Sequence, residues 1–265
     1  MLVSCILLST AKRPEWLDAT IKSIDELDFK FNEKLLSVDE FDGYHLTSDI
    51  IEKYRGSGWV VDVVSLKSKE KCIKRLTDMT SSDYVFYAED DVLINNIPSN
   101  VCDILNTVVD GRECGMLSMN LGGSLLDYPN HMGDLPYWLD NIIYSDNNIV
   151  SFRRLESQKS RWFFEFPSVF IKTNLLKKLI SIGGLTNNNI EEGLTSRWFS
   201  NGLDTNYYKS SICDKNIINS VNLLLGNSEV SYWIELLEKS KLYKILDPNQ
   251  GGANINLNII NNNVQ

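Results

Sequence analysis

Apolar and polar positions along the first half of the chain follow two alternating rhythms. Leu2–Thr10 is a nearly unbroken apolar run of strand length. Pro14 then stands where a first helical turn tolerates it, and Trp16, Leu17, Thr20, Ile21 and Ile24 recur at helical spacing. Leu35–Val38 predicts a short second strand ending at Asp39, and Leu46–Tyr54 a helix. After the breaker Gly56-Ser57-Gly58, Trp59–Leu66 predicts a third strand. Lys69–Met79 predicts a basic-faced helix and Tyr84–Ala88 a fourth strand. Strands separated by helices predict an α/β chain with a mostly parallel sheet and right-handed crossovers.

The later pattern is looser. Val101–Val109 predicts a helix and Met116–Asn120 a strand, after which Gly122-Gly123 opens a stretch, Tyr128 to Asn148, rich in Asn, Asp and Pro. Trp162–Ile171 reads as a strand, Asn174–Ile182 as a helix, and Ile190–Phe199 as another helix beyond a loop marked by Gly183-Gly184 and Asn187–Asn189. Glu229–Lys241 predicts the last substantial helix, and the Asn- and Ile-rich end from Asn254 is low in complexity. No internal repeat or linker divides the chain, so a single continuous domain with two functional halves is expected.

Length and charge narrow the function classes. The 265 residues suffice for one large α/β domain with ample burial. A formal net charge of −9 argues against a broad nucleic-acid surface, while leaving room for a local basic patch around a small phosphorylated ligand. Cys5, Cys72, Cys102, Cys114 and Cys213 are odd in number and scattered without a CxxC pair, and His45 and His131 are the only histidines. Neither a structural zinc site nor a disulfide framework is expected. No N-x-[ST] acceptor occurs. LVSCILLST lacks a basic leader and is too short to span a bilayer, and no other segment is long and apolar enough. The expectation is a cytoplasmic protein, or one peripheral to a membrane.

The segment YVFYAEDDVLI, Tyr84–Ile94, interrupts an apolar run with Glu89, Asp90 and Asp91. Three adjacent like charges are costly unless a cation or hydrogen-bond donors compensate them. Side-chain alternation sends Glu89 and Asp91 to one side of an extended chain. Two carboxylates at a strand end suit Mg²⁺ or Mn²⁺ held jointly with a diphosphate. A solvated strand end and an ion-pair network are the plainer alternatives.

The succession of a strand, STAKRPEWLDATIKSI, a strand ending in Asp39, a basic helix and YVFYAEDDV resembles a glycosyltransferase of the GT-A fold, family 2-like, with its DxD-type motif as Glu89-Asp90-Asp91. The resemblance covers Leu2 to Leu203. It implies a Rossmann-like nucleotide-binding sheet flanked by helices in residues 1–122, fused to a smaller acceptor-binding half in residues 123–265 with a C-terminal helical extension. By the same resemblance Asp91 takes a Mn²⁺ or Mg²⁺ ion, with Glu89 as a second candidate ligand. Glu89 and Asp90 would meet the donor ribose or a metal-bound water. Ser9, Thr10 and Arg13 would contact the nucleotide, and Asp39 the base. Lys71 and Arg75, one helical turn apart, could meet other donor groups. Thr10 as a helix cap, Asp39 as a turn residue and the two bases as a solvated helix face remain the structural alternatives.

NIEEGLTSRWFSNG, Asn189–Gly202, resembles the family segment in which an acid before a helix acts as general base. The resemblance implies Glu192, with Glu191 as alternate, as the base of an inverting transfer, and Arg197 as a diphosphate contact. Helix N-terminal stabilisation is the plainer role for the two acids. Trp162 and Trp198 are candidates for stacking against an acceptor sugar, and His131 for a late metal ligand. The implied partners are a UDP- or GDP-type sugar donor and a saccharide or other hydroxyl acceptor, without nucleic acid. The competing readings are a non-catalytic nucleotide- or sugar-binding protein of the same fold, and a glycosyltransferase acting on a modified nucleic-acid base. P-loop, GxGxxG and GxSxG patterns are absent, which removes the ordinary NTPase, dehydrogenase and serine-hydrolase readings.

Overall fold

The computed structural model describes residues 1–90, 92–94, 96–109, 111–119, 142–146, 149–152, 169–182, 190–212 and 220–222. Its first half follows the expected alternation: β1 (Val3–Thr10), α1 (Pro14–Asp25), β2 (Glu33–Asp39), α2 (Ser48–Gly56), β3 (Trp59–Val64), α3 (Lys69–Met79) and β4 (Tyr84–Glu89). Then come β5 (Val92–Ile94), α4 (Val101–Leu105), β6 (Val108–Val109), β7 (Arg112–Ser118), β8 (Ile142–Asp146), β9 (Ile149–Phe152) and β10 (Val169–Lys172). Two further helices, α5 (Thr173–Ser181) and α6 (Ile190–Ser200), precede β11 (Tyr207–Ile212) and β12 (Ser220–Asn222).

One ten-stranded sheet dominates, in the order β3-β2-β1-β4-β10-β7-β11-β9-β8, with β6 paired to β7; β5 and β12 form a separate ribbon. β3, β2, β1 and β4 are parallel. β10 enters antiparallel between β4 and β7, and β11 pairs parallel with β7 and antiparallel with β9. The sheet is therefore mixed beyond β4. Strands from both sides of residue 122 share it without a break.

Burial on both faces explains why β1 and β4 read as continuous apolar runs rather than alternating ones. Cys5 and Leu7 of β1, with Phe86 and Ala88 of β4, join a core that includes Leu17, Ile21 and Ile24 of α1. Ile6 and Leu8, with Val85 and Tyr87, join the opposite core with Cys72, Ile73 and Leu76 of α3 and Leu175, Leu176 and Leu179 of α5. The five positions that mark the helical period of the first helix, Trp16, Leu17, Thr20, Ile21 and Ile24, are the five that α1 buries.

The fit is close behind β7. A β-carbon added at Gly115 would stand 2.8 Å from Tyr207 Cβ and 2.9 Å from Leu175 Cδ2, with the Trp198 ring 3.1 Å away. Two expectations change here. Val101–Val109 is not one helix: α4 ends at Leu105, and Val108–Val109 turns back to pair with Arg112 and Glu113. The strand expected at Met116–Asn120 begins earlier, at Arg112, because its first residues pair with β6 and β11. The helix expected at Glu229–Lys241 lies outside the described residues.

Candidate active site at the β1/β4 crevice

Successive crossovers carry the chain from β1 to β2 to β3 in one direction, and the next places β4 on the other side of β1. At such a reversal the loops leaving the two central strands diverge and open a crevice at the carboxyl edge of the sheet, the usual ligand position in open α/β sheets. Register fixes what stands there. Thr10 lies opposite Asp39, and Leu8 lies opposite Glu89. Ser9, Thr10, Arg13, Asp39, Glu89 and Asp90 are thereby gathered at one edge.

Strand alternation divides the acids of the triplet. Even positions of β4 face the α1 side and odd positions the α3 side, as Phe86 and Tyr87 show. Glu89 accordingly meets α3. Its Oε1 lies 2.5 Å from Lys69 Nζ and accepts a 3.0 Å hydrogen bond from the Tyr87 hydroxyl. Asp90 points the other way and is only 2% exposed. Its Oδ2 accepts from Ser9 Oγ at 2.8 Å and from the Thr10 amide at 3.4 Å, and its Oδ1 accepts from Arg13 at 2.6 Å. Burial pushes the Asp90 carboxyl up. The Arg13 charge, then the Ser9 hydroxyl and the Thr10 amide, oppose that, and neighbouring Glu89 adds to it. Asp91 lies outside the described residues.

Asp39 is buried, and its carboxylate accepts from the Leu66 amide at 2.8 Å and the Ser68 amide at 3.3 Å. It thus ties the end of β2 to the loop leading into α3. Ser68 also caps α3 by accepting from the Lys71 amide. In the same loop Lys67 takes a left-handed conformation, φ 49°, and its ammonium lies 3.5 Å from Asp42, itself at φ 54°. Two non-glycine residues in this costly region flank the crevice.

The remaining candidates lie elsewhere or in other roles. Lys71 and Arg75 share an exposed face of α3, and Arg75 makes a two-pronged pair with Asp62 of β3 at 2.8 and 2.9 Å. Arg197 is buried between α5 and α6, where it donates to the Leu179 carbonyl at 2.8 Å; burial lowers its pKa, against the pull of Glu70. Trp198 is 1% exposed and packed in the α3–α5–α6 core, a core position rather than an open stacking face. Glu191 and Glu192 occupy the first turn of α6. Trp162 and His131 lie outside the described residues.

Lys69, Tyr87 and Thr20, whose hydroxyl donates to the Asp90 carbonyl at 2.9 Å, join the site although none was a site candidate from sequence. Tyr87 was legible through period two, since it shares a side with Glu89. Lys69 was not, because only the tertiary docking of α3 brings its ammonium to β4.

No family model and no curated protein sequence matches this chain. Solved structures do. S. aureus TarS residues 1–349, in complex with UDP, superposes with a TM-score of 0.52 at 15% identity, covering 83% of this chain and 60% of that one. The same TarS fragment with UDP-GlcNAc gives 0.52 at 15% identity, over 83% and 58%. The Pyrobaculum calidifontis mannosyltransferase PcManGT, in complex with GDP-Man and Mn²⁺, gives 0.51 at 12% identity, over 82% and 55%. The fold is that of the GT-A glycosyltransferases. The chain spans less than two thirds of the length of these GT-A structures. No helix among the described residues is long and apolar enough to cross a membrane.

Proposed function

We propose that this chain is a metal-dependent glycosyltransferase that moves a sugar from a nucleoside-diphosphate donor to an acceptor hydroxyl. The observation that carries this reading is the β1/β4 crevice of a GT-A sheet, where Thr10, Asp39, Glu89 and Asp90 meet, with Asp91 next in sequence. UDP- and GDP-linked sugars are the donor classes named for TarS and PcManGT, and the same classes are proposed here. Residues 1–122 would bind the donor and residues 123–265 the acceptor.

The donor set fits a divalent cation only in part. Among the described residues no group of three or more His, Cys, Asp or Glu side chains is gathered as a complete cage. Mg²⁺ or Mn²⁺ bound with a diphosphate needs only one or two protein carboxylates, because phosphate oxygens and water complete the shell. Glu89, partly exposed at the crevice, and Asp91 are the residues that would hold it; Asp90, turned inward, would not. A bound cation would neutralise charge on the diphosphate leaving group.

The chain's own groups supply the rest. The Thr10–Arg13 turn and the Asp39-anchored loop would form the walls on either side of the donor. Glu192 would accept the proton of the acceptor hydroxyl as that oxygen attacks the anomeric carbon and the carbon–oxygen bond to the diphosphate breaks. Glu191 would favour the N-terminus of α6.

Release of UDP or GDP from a panel of nucleotide-sugars with Mn²⁺ tests this. Metal-dependent release from at least one donor, accelerated by a sugar acceptor, is expected. Tight donor binding without release under any condition would point to a non-catalytic binding protein instead.

A further inference from the structure

We infer that Asp90 is a positioning residue: its buried carboxylate fixes the Thr10–Arg13 turn beside the donor crevice, and it is neither a metal ligand nor a donor contact. The inference rests on the donor-binding reading of that crevice, and it assigns the middle acid of the triplet a role unlike that of its neighbours.

The turn has little to hold it from within. Arg13 occupies the N-cap of α1, with no side-chain capping bond there, and Pro14 follows at the first helical position. Within the turn, the Arg13 amide reaches the Thr10 carbonyl only at 3.5 Å. Besides the Ala11 amide, which donates to the Asp39 carbonyl at 3.3 Å, the anchor comes from across the sheet. Asp90 accepts from the Ser9 hydroxyl, the Thr10 amide and the Arg13 guanidinium, so three positions in a span of five residues converge on one carboxylate. The guanidinium also lies 4.8 Å from the centre of the Trp16 ring, which fixes its plane.

Asp90 is itself held by its main chain. Its amide donates to the Leu8 carbonyl at 3.0 Å, extending the β1–β4 ladder by one step, and its carbonyl accepts from Thr20 Oγ1 of α1 at 2.9 Å. Both carboxylate oxygens, the amide and the carbonyl are therefore engaged inside the protein. Turning an oxygen outward to a cation would break an ion pair whose acid is buried and leave the Ser9 hydroxyl without its charged acceptor, a costly exchange. Glu89 is paired too, with Lys69, but both of those side chains are partly exposed, so that exchange costs less.

Hydrogen–deuterium exchange of the ligand-free full chain, with Mn²⁺-dependent titration of UDP and GDP, tests the assignment. In Asp90→Asn, exchange of the amides of residues 10–13 should rise by about tenfold or more, the equivalent of losing one charge-assisted hydrogen bond. Nucleotide affinity should fall by a similar factor, while the Mn²⁺ concentration for half-saturation stays within about twofold. Arg13→Ala should cost as much affinity as Asp90→Asn, and the double variant no more than either, because the two act as one unit. Ser9→Ala removes one of the three bonds to Asp90, together with the longer 3.2 Å contact of the same hydroxyl to the Thr10 carbonyl, and should show the same pattern at smaller amplitude, which keeps the test open if Asp90→Asn does not fold. Unchanged exchange at residues 10–13, a tenfold shift in Mn²⁺ requirement, or losses that multiply in the double variant would each overturn the assignment. Failure of the wild-type protein to bind any nucleotide would instead contradict the donor reading, and the exchange measurement would still decide whether Asp90 braces the turn.

Discussion

Lys69 Nζ stands 2.5 Å from Glu89 Oε1, joining the first turn of α3 to the last residue of β4. Together with the Arg13–Asp90 pair, it shows how the chain tolerates consecutive acids. Strand alternation sends adjacent carboxylates to opposite faces, and each face supplies its own cation. If Glu89 lies beside the metal, Lys69 opposes metal binding by proximity. In Lys69→Ala the Mn²⁺ concentration for half-saturation should fall by about two- to tenfold at low ionic strength, with the difference shrinking at high salt. An unchanged or higher Mn²⁺ requirement would place the cation away from Glu89.

Glu192→Gln keeps the size of the side chain but cannot take a proton. Donor affinity should survive, while kcat for transfer falls by roughly 10²–10⁴-fold. Glu191→Gln should leave kcat near the wild-type value and act only on stability, by about 1 kcal/mol or less. Transfer at the wild-type rate by Glu192→Gln would count against an inverting mechanism with this base and favour one in which the donor's phosphate receives the proton.

Arg75→Ala separates a surface ion pair from a donor contact. Arg75 is exposed and its two-pronged partner is Asp62. Nucleotide affinity should stay within about twofold of wild type, and stability should change by about 1 kcal/mol or less. A tenfold loss of affinity would return Arg75 to the donor site.

Gly115→Ala tests the packing behind β7. The added methyl would meet Tyr207, Leu175 and Trp198 at 2.8 to 3.1 Å, two of these contacts closer than real β-carbons approach. Destabilisation of about 1–3 kcal/mol is expected, read as a lower denaturation midpoint at unchanged m-value. A neutral outcome would mean that Tyr207 and Leu175 yield enough to admit a methyl group.

The donor-side architecture was legible because its elements carry strong local signals. α1 shows its period in five buried positions and a proline start, and β1 and β4 are apolar enough for burial on both faces. The later half was less so. β10 falls at the end of the apolar stretch Trp162–Ile171 that announced it, but β6 is only two residues long and β11 pairs with β7 some ninety residues earlier, so no local pattern announces those two. The same limit applies to side chains. The face of α3 carrying Arg75 looks available in sequence until Asp62 is brought beneath it, and Arg197 reads as a phosphate contact until α5 presents the Leu179 carbonyl. Asp39 was legible as a strand-terminal acid, but its clasp on the Leu66 and Ser68 amides depends on the path of the following loop.

The function proposed for this chain requires the β1/β4 crevice to bind a nucleoside diphosphate through a divalent cation held by Glu89 and Asp91. Calorimetric titration of the wild-type chain and of Asp91→Asn with UDP and with GDP, each with Mn²⁺ and with EDTA, tests it most directly. Saturable binding of at least one nucleotide by the wild type with Mn²⁺ is expected, with its loss in EDTA and its loss in Asp91→Asn while the unfolding transition of the free protein is retained. Binding of equal strength with and without metal, or an Asp91→Asn protein with unchanged Mn²⁺ dependence, would contradict it.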